Sequence, residues 1–71
     1  MMPVLELLAR ARAEAVAVSP DATPIEIATQ TALILSRRSL MCDPGSEERT
    51  RYYHAAIQAQ QEVKRMQGGA R

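Results

Sequence analysis

The side chains able to perform chemistry are few in this chain of 71 residues, and most of them lie close together in one stretch. His54 and Cys42 are the only soft metal ligands, and they stand twelve residues apart. A structural zinc site normally has four protein ligands, and no second pair exists here. We therefore expect neither a metal ion nor any other cofactor.

The residue types of a hydrolase triad are present as Asp43, Ser46 and His54, and Cys42 is a second candidate nucleophile. Ser46, however, stands where a helix cap is expected, and neither a strained turn nor an oxyanion hole accompanies it. Cys42 follows the predicted end of a helix and precedes Asp43, and both neighbours disfavour a thiolate. We expect Cys42 to be a packing residue, His54 to be exposed, and the protein not to be an enzyme.

The charge balance bears on the choice of partner. Nine Lys and Arg residues against eight Asp and Glu residues give a formal charge of +1. Non-specific attraction to nucleic acid or to anionic lipid comes from a surplus of cations. A membrane partner is therefore not expected, and a nucleic-acid partner is disfavoured.

Cysteine usage and the N-terminal segment bear on the compartment. A single cysteine cannot form an internal disulfide, which agrees with a reducing environment. Charged residues break up the apolar run that a signal peptide would need in this segment, so we expect no signal peptide. They are Glu6, Arg10, Arg12 and Glu14. No apolar run approaches the roughly 20 residues of a membrane-spanning helix. We expect a soluble, cytoplasmic protein.

Local signals divide the chain into three helices, which predicts an all-α fold. The first spans about 3–18, where alanines alternate and no Gly or Pro follows the start. The second spans about 24–41, because Thr23 and Glu26 have the spacing of a capping box. The third spans about 47–67, between a Pro-Gly turn and a pair of glycines.

We expect one helical domain over residues 1–67 and a flexible tail over residues 68–71. The helices form either a small bundle or a hairpin of the second and third helices with the first packed across it. Apolar residues at alternating spacings of four and three predict one buried stripe on each outer helix. In the first helix these are Val4, Leu8, Ala11, Ala15 and Val18, and in the third they are Tyr52, Ala56, Ala59, Val63 and Met66.

The second helix carries apolar residues on several sides, which is typical of a central, buried helix. The stripe expected to face the core consists of Ile25, Ala28, Ala32 and Leu35. Ala accounts for twelve of the thirty-three hydrophobic residues, so the core has little large apolar area. Small domains with a thin core are often completed by oligomerisation. We expect the two flanking helices to leave part of the second helix uncovered.

Tyrosine is frequent at interfaces, where one end of the side chain is buried and the other is wet. Tyr53 lies off the predicted stripe beside Ile57, so this edge either packs within the monomer or is open to a partner. Together with the uncovered sides of the second helix it gives a candidate interface of Ile27, Leu33, Ile34, Leu40, Met41, Tyr53 and Ile57. The sequence predicts a small protein-interaction module in a homo-oligomer or hetero-oligomer, with a second copy or a larger protein as the partner.

The second helix, the turn and the third helix also admit an alternative, a small helix-turn-helix-like regulator that binds nucleic acid. Arg49 and Arg51 would then contact DNA. The turn is somewhat long for this motif, and Glu47 and Glu48 would face phosphates at the start of the third helix. We keep this as the second hypothesis.

The predicted hairpin, with its Pro-containing turn and an Ala- and Gln-rich helix bearing Tyr52 and Tyr53, resembles the small helical co-chaperones of bacterial secretion systems. The resemblance gives an example of an adaptor or co-chaperone role. Small phage-encoded regulators or inhibitors fit the same features equally well.

Overall fold

The computed structural model describes residues 2–68, which form three helices and no strand. The helices are α1 (Val4–Val18), α2 (Pro24–Met41) and α3 (Glu47–Gly68). The predicted all-α fold is confirmed, and each predicted helix limit agrees with the observed one to within a residue.

Two helix limits differ slightly from the prediction. Pro3 precedes α1 as its N-cap, and its carbonyl accepts the backbone N–H groups of Glu6 and Leu7. Gly68 is the last residue of α3 rather than the first of a tail. Residues 69–71 of the predicted tail lie outside the described part of the chain.

The start of α2 is fixed by the predicted capping box. The Glu26 N–H donates to the Thr23 hydroxyl oxygen over 3.3 Å, and the Thr23 N–H donates to the Glu26 carboxylate over 2.9 Å. The Thr23 N–H and the Thr23 hydroxyl both donate to the Glu26 carboxylate, and these two bonds hold the pKa of the Glu26 carboxyl below its ordinary value of 4.5. The chain then turns after α2 through Gly45, whose φ of 79° is one that L side chains rarely adopt.

The three helices pack up, down and up. At one end of the α2–α3 pair the Ser39 hydroxyl donates to the Arg49 carbonyl, and at the other end Ile27 and Met66 line one crevice. These contacts make α2 antiparallel to α3. The largest interface is between α2 and α3, and α1 packs against both of them.

The core is built mainly from alanine, as the composition predicts. Leu7 and Leu35 are the only buried hydrophobic residues larger than Ala among those described. The others are Ala11, Ala15, Ala28, Ala32, Ala55, Ala56 and Ala59. Alanine lets helices approach closely but removes little apolar area from water, so this core supplies little free energy of folding.

The predicted stripe of α1 is confirmed except at its C-terminal end. Ala11 and Ala15 are buried, and Val4 and Leu8 pack against the core. Val18 is exposed at the end of the helix, and Leu7, which borders the predicted stripe, is buried. Ala55 of α3 is likewise buried but was not part of the predicted stripe.

Ion pairs join α1 to its neighbours at the surface. Both oxygens of the Glu14 carboxylate accept from the Arg38 guanidinium of α2, with one contact at 2.6 Å. Arg12 lies 3.3 Å from the Glu62 carboxylate of α3. Exposed pairs of this kind contribute little to stability, so they orient α1 more than they stabilise it.

Candidate protein-interaction surface

An open groove runs between the C-terminal half of α2 and the N-terminal half of α3. We call it the α2/α3 groove, and its volume is about 470 Å³. Small side chains form its floor and larger ones its walls. The lining residues are Ser36, Ser39, Leu40, Arg49, Thr50, Tyr53, Ala56, Ile57 and Gln60.

Helical spacing explains why these residues share one groove. On α2, Ser36 and Leu40 stand four apart, and Ser39 lies between them on the same side. On α3, Tyr53 and Ile57 stand four apart on the facing side. The two helices therefore place large side chains along the edges while small ones lie where the helices meet.

The polar groups of the floor are satisfied within the chain. Ser39 is buried, and its hydroxyl donates to the Arg49 carbonyl over 3.3 Å. No buried side-chain nitrogen or oxygen of the described residues lacks a hydrogen-bond partner. A ligand entering the groove would therefore meet the large side chains of Leu40, Tyr53 and Ile57 and a floor whose buried polar atoms are already paired.

Three of the seven predicted interface residues line this groove, and a fourth, Leu33, lies on the adjoining side of α2. Leu40 is 73% exposed and Tyr53 is 56% exposed, and they face each other across the groove. Ile57 is half-buried in the α3 wall. Leu33 is exposed and stands seven residues before Leu40, which places it on the same outer side of α2.

The other three predicted interface residues do not join this surface. Ile34 is half-buried and packs against the core. Ile27 is half-buried beside Met66 at the far end of the bundle. Met41 is 84% exposed but lies in a separate crevice beside Tyr52. The candidate set is therefore divided among several sides of α2.

Arg49 and Arg51, which would contact DNA in the alternative hypothesis, lie beside different parts of the bundle. Arg49 lines the α2/α3 groove, whereas the Arg51 guanidinium donates to the Met2 carbonyl over 3.3 Å on the α1 side. The antiparallel course of α2 and α3 also differs from a helix-turn-helix, whose helices cross at about 90–120°. The two side chains thus form no common basic patch.

Ser46 and Cys42, the two candidate nucleophiles, form hydrogen bonds within the chain. The Ser46 hydroxyl accepts the Arg49 backbone N–H over 3.1 Å, as a helix cap does. Cys42 is half-buried, and its thiol donates to the Arg38 carbonyl over 3.2 Å. Partial burial and the neighbouring Glu48 carboxylate raise the pKa of this thiol. His54 is exposed, with its ring centre 6.3 Å from that of Tyr53.

Within residues 2–68, no three His, Cys, Asp or Glu side chains are grouped closely enough to hold a metal ion. The same part of the chain contains no helix with the length and apolar character needed to cross a membrane.

Several groove residues were not predicted from the sequence. Ser36, Ser39 and Thr50 are polar, and Ala56 was assigned only to the core, so none of them carried an interface signal. The one available signal was the placement of Ser36 and Ser39 beside Leu33 and Leu40, because small residues beside large ones on a helix surface make a groove.

The chain matches no model of a known protein family, no curated protein and no solved structure.

Proposed function

We propose that this protein is a small protein-interaction module and that its partner packs into the α2/α3 groove. The observation that carries the proposal is the pair of large exposed side chains, Leu40 and Tyr53, on opposite walls of a groove with a floor of small residues. Large apolar and aromatic side chains around a recess are the usual centre of a protein interface.

The thin core supports the same proposal. The described chain buries only Leu7 and Leu35 among its large hydrophobic residues, while Leu33, Leu40 and Tyr53 remain exposed. Each square ångström of apolar surface removed from water contributes roughly 25 cal/mol. A bound partner would therefore add the burial that a domain of this size lacks.

A module of this kind acts by binding another protein and catalyses no reaction, as an adaptor, a co-chaperone or a regulatory or inhibitory subunit does. Its partner is a larger protein or a second copy of the chain. A reducing compartment such as the cytoplasm suits the free thiol of Cys42.

The test is partner capture by matched variants in cells of the source organism. The tagged wild-type chain is compared with the groove variant L40A/Y53A and with the control variant Leu5→Ala. Leu5 is 75% exposed on α1 and lies outside the groove, so it matches Leu40 in residue type and exposure.

The proposal expects one partner, or a second copy, at fixed stoichiometry with wild type and Leu5→Ala. The groove variant should lose at least about tenfold in affinity, because aromatic anchors at interfaces are commonly worth more than 1.4 kcal/mol. Circular dichroism should show that all three chains are equally helical. Equal capture by the groove variant would refute the proposal.

A further inference from the structure

Three cations lie along or beside the α2/α3 groove. Arg49 lines the groove, and Lys64 stands seven residues after Ile57 on the same side of α3. Arg37 lies between Leu33 and Leu40 on the outer side of α2. We call Arg37, Arg49 and Lys64 the basic rim. Within residues 2–68 these three form no ion pair.

The carboxylates lie elsewhere. No described residue that lines the groove is acidic. Glu14 and Glu62 pair with arginines on the α1 side of the bundle. Glu26 keeps its negative charge but lies at the start of α2, away from the C-terminal half that lines the groove. The groove lining itself therefore carries one cation, Arg49, and no carboxylate, which makes it locally positive.

The shape of the groove suits a helix. Its lining on α3 extends from Arg49 to Gln60, which is about 16 Å or three helical turns. The floor of Ser36, Ser39 and Ala56 permits close approach of another helix, since interaxial distance depends on the side chains at the contact. Such a groove recognises a helix by the apolar side chains that the helix inserts at positions i, i+3 or i+4, and i+7.

A second copy of the chain fits the groove poorly. A two-fold dimer places the same patch of both subunits together. Two basic rims would then face each other, and like charges across an interface disfavour the pairing. A partner with carboxylates flanking its apolar side would instead complement the rim.

We infer that the α2/α3 groove binds an acidic amphipathic helix of another protein. The apolar side of that helix packs between Leu40 and Tyr53, and its flanking Glu or Asp side chains pair with Arg37, Arg49 and Lys64. This inference rests on the proposed function and specifies the chemistry of its partner.

The test uses synthetic helical peptides of 18 residues, the length of α2, with the isotopically labelled full chain. The acidic probe has Leu at positions i, i+3, i+7, i+10 and i+14, Glu beside them and Ala elsewhere. One control replaces every Glu by Lys, and a second scrambles the acidic sequence so that its leucines no longer share a side. Binding is followed by amide chemical shifts.

The inference expects the acidic probe to shift signals of the groove residues and to bind about tenfold more tightly than the lysine peptide, with the scrambled peptide weaker still. Raising the salt from about 0.05 M to about 0.5 M should weaken acidic binding several-fold. The variant R49Q/K64Q should remove the charge preference. The control variant R10Q/R65Q, which makes the same change in net charge outside the groove, should keep it.

Other outcomes overturn the inference in distinguishable ways. If the acidic and lysine peptides bind the groove equally tightly, the groove binds helices without preferring acidic ones, and the inference is wrong. If no peptide changes the amide chemical shifts of the groove residues, the occupant is not a helix. The proposed function is tested separately, by partner capture with the variant L40A/Y53A. Groove shifts that grow with the concentration of the chain alone indicate a second copy, and groove shifts caused by duplex DNA indicate nucleic acid.

Discussion

Leu35 and Leu40 show how strongly environment separates two leucines of one helix. Leu35 is 0% exposed in the core, whereas Leu40 is 73% exposed beside the groove. Their spacing of five residues places them on nearly opposite sides of α2. The sequence predicted both roles, because Leu35 belongs to the stripe shared with Ala28 and Ala32 and Leu40 does not.

The first prediction compares truncation of these two leucines. Leu35→Ala should lower the free energy of unfolding by about 2–5 kcal/mol, since it leaves a cavity in a core with few large side chains. Leu40→Ala should change it by less than about 0.5 kcal/mol. Urea unfolding followed by circular dichroism measures both. Similar losses for the two variants would mean that Leu40 is a core residue and would remove the basis of the groove.

The second prediction concerns the ion pair between Glu14 and Arg38. Hydrogen bonds from Arg38 hold the pKa of the Glu14 carboxyl below its ordinary value of 4.5. A lowered pKa in the folded state means that the stabilising contribution is present above 4.5 and is lost as the pH falls through the folded-state pKa.

A double-mutant cycle with Glu14→Gln and Arg38→Gln measures this pairing. The coupling should be favourable near pH 7 and should vanish once Glu14 is protonated in the folded protein. The same cycle with Glu6→Gln and Arg10→Gln, whose charged atoms lie 4.0 Å apart within α1, should give a smaller coupling. A coupling between Glu14 and Arg38 that does not change with pH would contradict the ion pair.

At the scale of elements, helix limits are predictable because they depend on neighbouring residues. The capping box of Thr23 and Glu26 and the turn at Gly45 set the limits of α2 and α3 locally. How far the buried stripe of α1 extends was not predictable in the same way. Leu7 and Val18 lie on nearly the same side of α1, but Val18 is its last residue and is 81% exposed, whereas Leu7 is buried.

The third prediction tests the capping box against a matched threonine. Thr23→Ala removes the acceptor of the Glu26 N–H and should lower the free energy of unfolding by about 1 kcal/mol. Thr29 is exposed within α2, and its hydroxyl donates only to the Ile25 carbonyl. Thr29→Ala should be neutral or slightly stabilising, because Ala has the higher helix propensity. Thermal unfolding of both variants checks the contrast, and equal effects would contradict the cap.

At the scale of the whole molecule, composition predicted a thin core but not which surface remains open. Alanine content indicates how little large apolar area can be buried. The open surface depends on how the helices pack, which leaves Ile34 against the core and Leu33 and Leu40 exposed. The basic rim was also not predictable from the formal charge of +1, because the carboxylates that balance it lie on other sides.

The most direct test of the central claim is site-specific photo-crosslinking in cells of the source organism. Benzoylphenylalanine replaces either Tyr53 in the groove or Ala13 on the exposed side of α1, and irradiated products are resolved by mass. A discrete adduct with another protein should form from position 53 and be absent from position 13. No adduct from position 53, or the same adducts from both positions, would contradict a partner in the α2/α3 groove.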